Sequence, residues 1–196
     1  MNNMNDLFKI KYNKELPEPG KILISEPFLK EYPFSRSVTL LVNHSADGSM
    51  GLVLNMPIAV TLNDIMAELQ EIDEIPLFRG GPIGEDILFF VHSIKDLPGA
   101  VPIIDNLYLN GDFEILKQKL IDKKVDPNNM KFFLGYSGWG ANQLHHELEA
   151  DSWLVSREPI AYLLNQSPYS LWKDVLQNMG SPYSLWARYP LLPALN

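Results

Sequence analysis

One seven-residue stretch constrains the folding of this chain more than any other: Gly135-Tyr136-Ser137-Gly138-Trp139-Gly140-Ala141. It is entered from the apolar run Phe132-Phe133-Leu134 and left through Asn142-Gln143-Leu144. Glycine lacks a Cβ, so it serves where the backbone takes a positive φ or approaches another group closely. Three glycines interleaved with a tyrosine, a serine and a tryptophan therefore predict a shaped loop, joining a strand over 131–134 to a short helix over 142–150. The loop lacks the Gly-Lys-Ser/Thr ending of a phosphate-binding P-loop. The glycine spacing around Ser137 also differs from that of a nucleophile elbow.

The rest of the chain reads as alternating short strands and helices. Residues 1–19, closed by Pro17 and Pro19, read as a flexible N-terminal extension, and 20–196 as a single domain. Strands are expected over 21–25, 38–42 and 51–55, the last two as a hairpin with a long polar loop over 43–48. Further strands are expected over 75–78, 87–91 and 152–156, with Arg79-Gly80-Gly81-Pro82-Ile83-Gly84 as a tight connection between two of them. Thr61 and Asp64 have capping-box spacing, and Leu62, Ile65, Met66, Leu69 and Ile72 continue from them at helical period. A second helix is expected over 112–124. The hexapeptide Ser167-Pro168-Tyr169-Ser170-Leu171-Trp172 recurs at 181–186. Its first copy starts a helix that runs to Gly180; its second is cut short by Pro190 and Pro193. Two hairpin-like pairs without regular β-α-β alternation give an α+β fold: a mixed, largely antiparallel sheet with helices around it.

Charge and composition narrow the functional classes. The formal net charge is −8, which argues against a broad phosphate-binding surface and makes direct nucleic-acid binding unlikely. There is no cysteine, so disulfides, thiolate catalysis and zinc–thiolate sites are excluded. No apolar run approaches the roughly 20 residues of a membrane span, and the N-terminus lacks the apolar core of a secretory signal. The expected location is the cytoplasm.

Several short motifs occur in order along the chain: Ile24-Ser25-Glu26-Pro27, Arg36-Ser37-Val38, Gly51-Leu52-Val53-Leu54-Asn55, Gly80-Gly81-Pro82, Gly135 to Gly140, Gln143-Leu144, Trp153 and the closing Pro193-Ala194-Leu195-Asn196. Together they resemble the AlgH/YqgE family of bacterial proteins over residues 20–196. The resemblance implies a branched sheet surrounded by helices. Members are often labelled transcriptional regulators, and the resemblance transfers no catalytic residues. The chain departs from the family where His145-His146 stand in place of the acidic residues that often follow Gln-Leu, and in its first 19 residues.

Four constellations offer chemistry. In the glycine-rich loop, Tyr136, Ser137, Gly138, Trp139, Asn142 and Gln143 supply backbone amides and flat apolar walls, suited to an anion nest or a small-molecule cleft. The bland alternative is a tight turn pinned by buried aromatics. Arg79, Gly80 and Gly81 permit close approach, with a guanidinium fork for a carboxylate or phosphate; the alternative is a hairpin turn bearing a solvated arginine. If the two segments meet in space, a joint site is expected between them. His145 and Glu149, with His146, Glu147 and Asp151 nearby, lack His-Glu-x-x-His spacing, and no metal or other cofactor is expected. Ser25, Ser37 or Ser137 with His44 or His92 is not selected as a triad by spacing, since triads are defined by geometry.

A non-catalytic binding or regulatory module, engaging a small molecule or a protein partner and acting on transcription only indirectly, is the favoured function. The alternative is an enzyme acting on a small polar substrate in a cleft between the two glycine-rich segments.

Overall fold

The computed structural model describes residues 11–189; the first ten residues of the extension and the closing Pro193-Ala194-Leu195-Asn196 motif lie outside them. Ten strands are present: β1 (Ile22–Ser25), β2 (Val38–Ser45), β3 (Gly48–Val53), β4 (Pro57–Thr61), β5 (Pro76–Arg79), β6 (Ile83–His92), β7 (Val101–Ile104), β8 (Leu107–Leu109), β9 (Met130–Gly140) and β10 (Trp153–Ser156). Among the described residues five α-helices accompany them: α1 (Leu62–Ile65), α2 (Phe113–Ile121), α3 (Gln143–Glu149), α4 (Ile160–Asn165) and α5 (Leu171–Asn178). The main path of the sheet runs β10-β1-β2-β3-β9-β6-β8-β7. This is the expected α+β class, with a mixed and largely antiparallel sheet.

The sheet branches at β9. The far half of that strand, Ser137 to Gly140, pairs antiparallel with β3. Its near half, Phe132 to Leu134, pairs parallel with β5, which in turn carries β4. The opposite edge belongs to β6 throughout, from His92↔Met130 to Ile83↔Tyr136. Gly135, with φ +71°, stands where one edge changes partner from β5 to β3.

Three apolar cores follow from this geometry. Alternate residues of a strand face opposite sides, so Phe133 and Phe78 join Leu52, Leu171, Trp172 and Val175 beneath α4 and α5. Phe132 and Leu77 point the other way, to Leu62, Leu69, Leu116 and Leu120 of the α1–α2 side. Leu144 and Leu148 of α3 close the third core on Leu23, Leu41, Trp139 and Trp153.

Several local expectations change. The glycine-rich stretch is not a loop; β9 continues through it to Gly140, because its side chains alternate in and out like any paired strand. The β2–β3 connection is tight rather than long, with Ser45 paired directly to Gly48. Strands β5 and β6 do not form a hairpin, since each pairs with β9 from a different side. The capping box at Thr61 and Asp64 is present, but α1 lasts only to Ile65, where Met66 turns extended and a 3₁₀ turn follows. The two copies of the repeated hexapeptide enter different structures, α5 and a 3₁₀ turn over Tyr183–Arg188.

The described part of the N-terminal extension lies against the sheet. The Asn13 side chain donates to the Val155 carbonyl (2.6 Å) and accepts from the Val155 amide (3.2 Å). It thereby occupies the free edge of β10, where unpaired backbone groups would otherwise invite another strand. Tyr12 donates its amide to Asp151.

Candidate functional site

The two glycine-bearing segments do meet in space. The Gly80 amide donates to the Leu134 carbonyl (2.9 Å), and the Gly80 carbonyl accepts from the Val53 amide (2.9 Å) and the Ser137 hydroxyl (3.1 Å). Gly80 therefore sits in the fork between β3 and β9. A Cβ on Gly81 would overlap the Tyr136 carbonyl and the Ser137 nitrogen, and one on Gly135 would lie 2.7 Å from the Gly81 oxygen. Such contacts with main chain cannot be relieved by a rotamer change, so glycine is required for the branch to close.

This packing corrects the expected site. The space foreseen between Gly80, Gly81 and the Gly135–Gly138 segment is filled by direct backbone contact. Ser137 is fully buried and committed to Gly80. Gly138 sits in the β9 ladder opposite Met50, and a Cβ there would meet the Ile83 side chain at 2.9 Å. Arg79 is paired with Glu85 and stacks over Tyr32, 5.4 Å from the ring centroid. The turn it belongs to is an architectural joint, not an open anion nest.

The aromatic and amide residues have mixed fates. Trp139 is buried, and its indole donates to Glu147 Oε2 (2.8 Å). Trp153 donates to the same oxygen (2.8 Å), while Gln143 donates to Glu147 Oε1 (2.9 Å). Gln143 also accepts from the Gly140 amide, closing the turn from β9 into α3. Glu147, read from the sequence as a possible metal neighbour, is instead the acceptor that joins two indoles. Its spacing from Gln143, four residues along a helix, is the signal that could have suggested this.

Open space lies on both sides of the β2–β3 hairpin. One concavity of about 500 Å³ is lined by Tyr136, Trp139, Phe89 and Met50, with Asn43, Asp47 and Ser49 towards the hairpin tip. Tyr136 and Phe89 meet edge to face, 5.6 Å between centroids. A second concavity, of about 360 Å³, is lined by His44, Ser49, Gly140, Asn142, Leu144 and His145 among others. Asn142 takes φ +61° at the entrance to α3. Tyr136, Trp139 and Asn142 thus border open space, whereas Gly80, Gly81 and Arg79 line neither concavity.

The hairpin brings His44 opposite Ser49, a pair hidden by the expectation of a long loop. His44 Nδ1 lies 2.7 Å from the Ser49 hydroxyl. His92 is buried, its Nε2 donating to the Asn110 carbonyl (2.7 Å) and its Nδ1 accepting from the Ile94 amide (3.1 Å). Burial pushes its pKa below the usual value. It has no free nitrogen for a proton transfer. His145 meets Glu149 at 3.3 Å on the exposed face of α3. Among the described residues no three histidine or acidic side chains converge as a metal site.

The fold and surface define an α+β protein whose glycine motifs build a sheet branch and whose open concavities flank one hairpin. The chain belongs to the AlgH-like family, whose pattern it matches over residues 22–184. It is 48% identical over 196 residues to a UPF0301 protein of Bacteroides thetaiotaomicron and 47% identical to one of Bacteroides fragilis, with all of both chains covered in each case. The solution structure of the AlgH protein from Pseudomonas aeruginosa superposes with a TM-score of 0.68 at 26% identity, covering 90% of this chain and 98% of that one. A crystal structure of a protein from Corynebacterium diphtheriae shares the fold at 20% identity, with a TM-score of 0.74 and coverage of 93% and 97%.

Proposed function

We propose that the protein is a non-catalytic binding module whose contact face is the β2–β3 hairpin with the far half of β9. The observation that carries this reading is the concavity of about 500 Å³ where Tyr136, Phe89 and Met50 supply an apolar floor beneath the polar tip residues Asn43, Asp47 and Ser49. A few polar groups around an apolar surface are the usual makeup of a binding site. A small polar molecule or a protein segment suits this face. A regulatory role would then be indirect, through that ligand, since the net charge of −8 opposes direct contact with nucleic acid. The cytoplasm is the proposed location: the chain has no cysteine to oxidise, and among the described residues no helix is long and apolar enough to cross a membrane.

The test is a thermal-shift screen against metabolites and nucleotides, run beside affinity capture from cell extract, using wild type and the surface variants Asp47→Lys and Asn142→Gly. Both positions are exposed, and glycine accepts the positive φ at 142. A ligand whose affinity falls about tenfold in either variant supports the reading (about 1.4 kcal/mol). Binding that ignores both variants, or no binding in either assay, removes it.

One observation favours an enzyme acting on a small polar substrate: the His44–Ser49 contact has the separation of a base and its nucleophile. A fluorophosphonate that labels Ser49 in wild type but not in His44→Gln would support catalysis. An unlabelled Ser49 counts against it.

A further inference from the structure

We propose that the cleft between the start of β9 and the α4–α5 turn is a carbonyl-binding site, in which the Lys131 amine forms a reversible imine with a small aldehyde or ketone. The site is separate from the hairpin face. Lys131 follows Met130 at the head of β9, and its residue is only 4% exposed. Its nitrogen lies 4.3 Å from the centroid of the Phe78 ring. Among the described residues it makes no ion pair or hydrogen bond, and its nitrogen opens onto the cleft rather than being sealed in the core. A buried cation without a carboxylate partner is rare.

The amine borders a cleft of about 260 Å³. Its walls are apolar at Phe78, Ile75 and Leu164 and amide-bearing at Asn128 and Gln166. Glu74, exposed at the mouth, is the sole other ionisable residue of the lining; the α4–α5 side, Leu164 to Pro168, is uncharged. That carboxylate disfavours an anionic ligand, whereas a neutral carbonyl compound with a short apolar body meets no repulsion. The space accommodates a molecule of a few heavy atoms.

The chemistry follows from desolvation. Burial lowers the Lys131 pKa to about 8, so at pH 7.5 about a quarter of the amine is neutral, against about a thousandth for an exposed lysine. The nitrogen lone pair attacks the carbonyl carbon, and one proton passes from that nitrogen to the carbonyl oxygen to give a neutral carbinolamine. The carbon–oxygen bond then breaks, the hydroxyl leaves as water with the remaining nitrogen proton, and a carbon–nitrogen double bond is left. No electron is gained or lost, and water returns to solvent through the mouth. Desolvation is a recognised way of activating an imine-forming lysine.

The experiment uses the full chain with butanal and sodium cyanoborohydride, which reduces the imine in place, followed by peptide mapping by mass spectrometry. At pH 7.5 Lys131 is expected to be alkylated at least about tenfold faster than the exposed lysines in the same sample, consistent with its larger neutral fraction. Its rate relative to those lysines is expected to fall as the pH rises past 8 and they deprotonate in turn. Modification at the exposed lysines with Lys131 equal or slower would overturn the proposal. Lys131→Met removes the fast-labelled peptide; should that variant fail to fold, the internal comparison within wild type still decides.

Discussion

Replacing Glu147 with alanine tests whether the signature tryptophan serves the structure. One carboxylate oxygen accepts from both Trp139 and Trp153, each at 2.8 Å, and both indoles are at least 95% buried. The rings pack edge to face at 6.0 Å, with Phe34 against both. Alanine removes the acceptor and leaves two indole N–H groups inside this aromatic cluster. An unsatisfied buried donor costs about 1–3 kcal/mol. Because Glu147 itself is half-buried, water can enter behind the lost side chain and recover part of that penalty, so the net loss is placed at about 2–4 kcal/mol. For a domain of this size the melting temperature should fall by roughly 4–16 °C. Glu147→Gln keeps one oxygen for the indoles but turns an NH2 towards the Gln143 donor, so it loses that bond as well as the charge assistance, about 1–2 kcal/mol. Urea unfolding followed by tryptophan fluorescence and by near-ultraviolet circular dichroism measures both variants. Glu147→Ala within about 0.5 kcal/mol of wild type, the scale of ordinary surface changes, would refute the reasoning.

Other perturbations probe the branch and the buried ionisable groups. Gly81→Ala should destabilise by about 4 kcal/mol or yield insoluble protein, because its Cβ meets main chain. Gly180→Ala, also at positive φ but with nothing within 4 Å, should cost only about 1 kcal/mol in the same thermal melt; equal effects would remove the branch argument. Lys131→Met should stabilise the protein by about 1–3 kcal/mol at pH 7. As the pH rises through about 8 the folded wild type loses its proton before the unfolded chain does, so its stability climbs and the advantage of methionine shrinks towards pH 10.5. For His92 the lowered folded pKa means that the unfolded chain binds the proton first as the pH falls through about 6.5. Its contribution is complete above that value and is lost below it, so the acid slope of wild-type stability should be steeper than that of His92→Gln.

The legible parts of the fold were those set by local chemistry. The Thr61–Asp64 capping box and the apolar stripe of α2 report on their own turns, and both are present. The strand that ends at Leu134 was visible, but its continuation through Gly135 was not. A glycine at positive φ reads locally as a loop, and only the partners contributed by β3, β5 and β6 make it the joint of a sheet. The same limit hid the pairing of β5 with β9, since parallel neighbours 55 residues apart leave no mark in either segment. The tight β2–β3 turn was missed because Asn43, His44 and Ser45 look like loop residues, although they are the exposed end of a strand pair. Of the candidate site, the sequence leaves the meeting of the two glycine segments as a condition, and neither segment carries a local sign that they pack in direct backbone contact.

That packing bears on where function is to be sought. Gly80, Gly81, Gly135, Ser137, Trp139 and Gln143 each have a partner inside the protein that accounts for the residue type. The motif that identifies the family is therefore explained by the requirement of joining three strands to one. A residue whose identity is already fixed by packing gives no independent argument for a ligand. Lys131 is the opposite case: the residue is almost entirely buried, and its amine lies beside an aromatic ring at the edge of a cleft with no protein acceptor, an arrangement that lowers its pKa and that packing does not require. Unfavourable burial of an ionisable group beside a cleft is a physical reason to suspect a site. On that criterion the head of β9, and not the glycine-rich half, is where chemistry should be sought first.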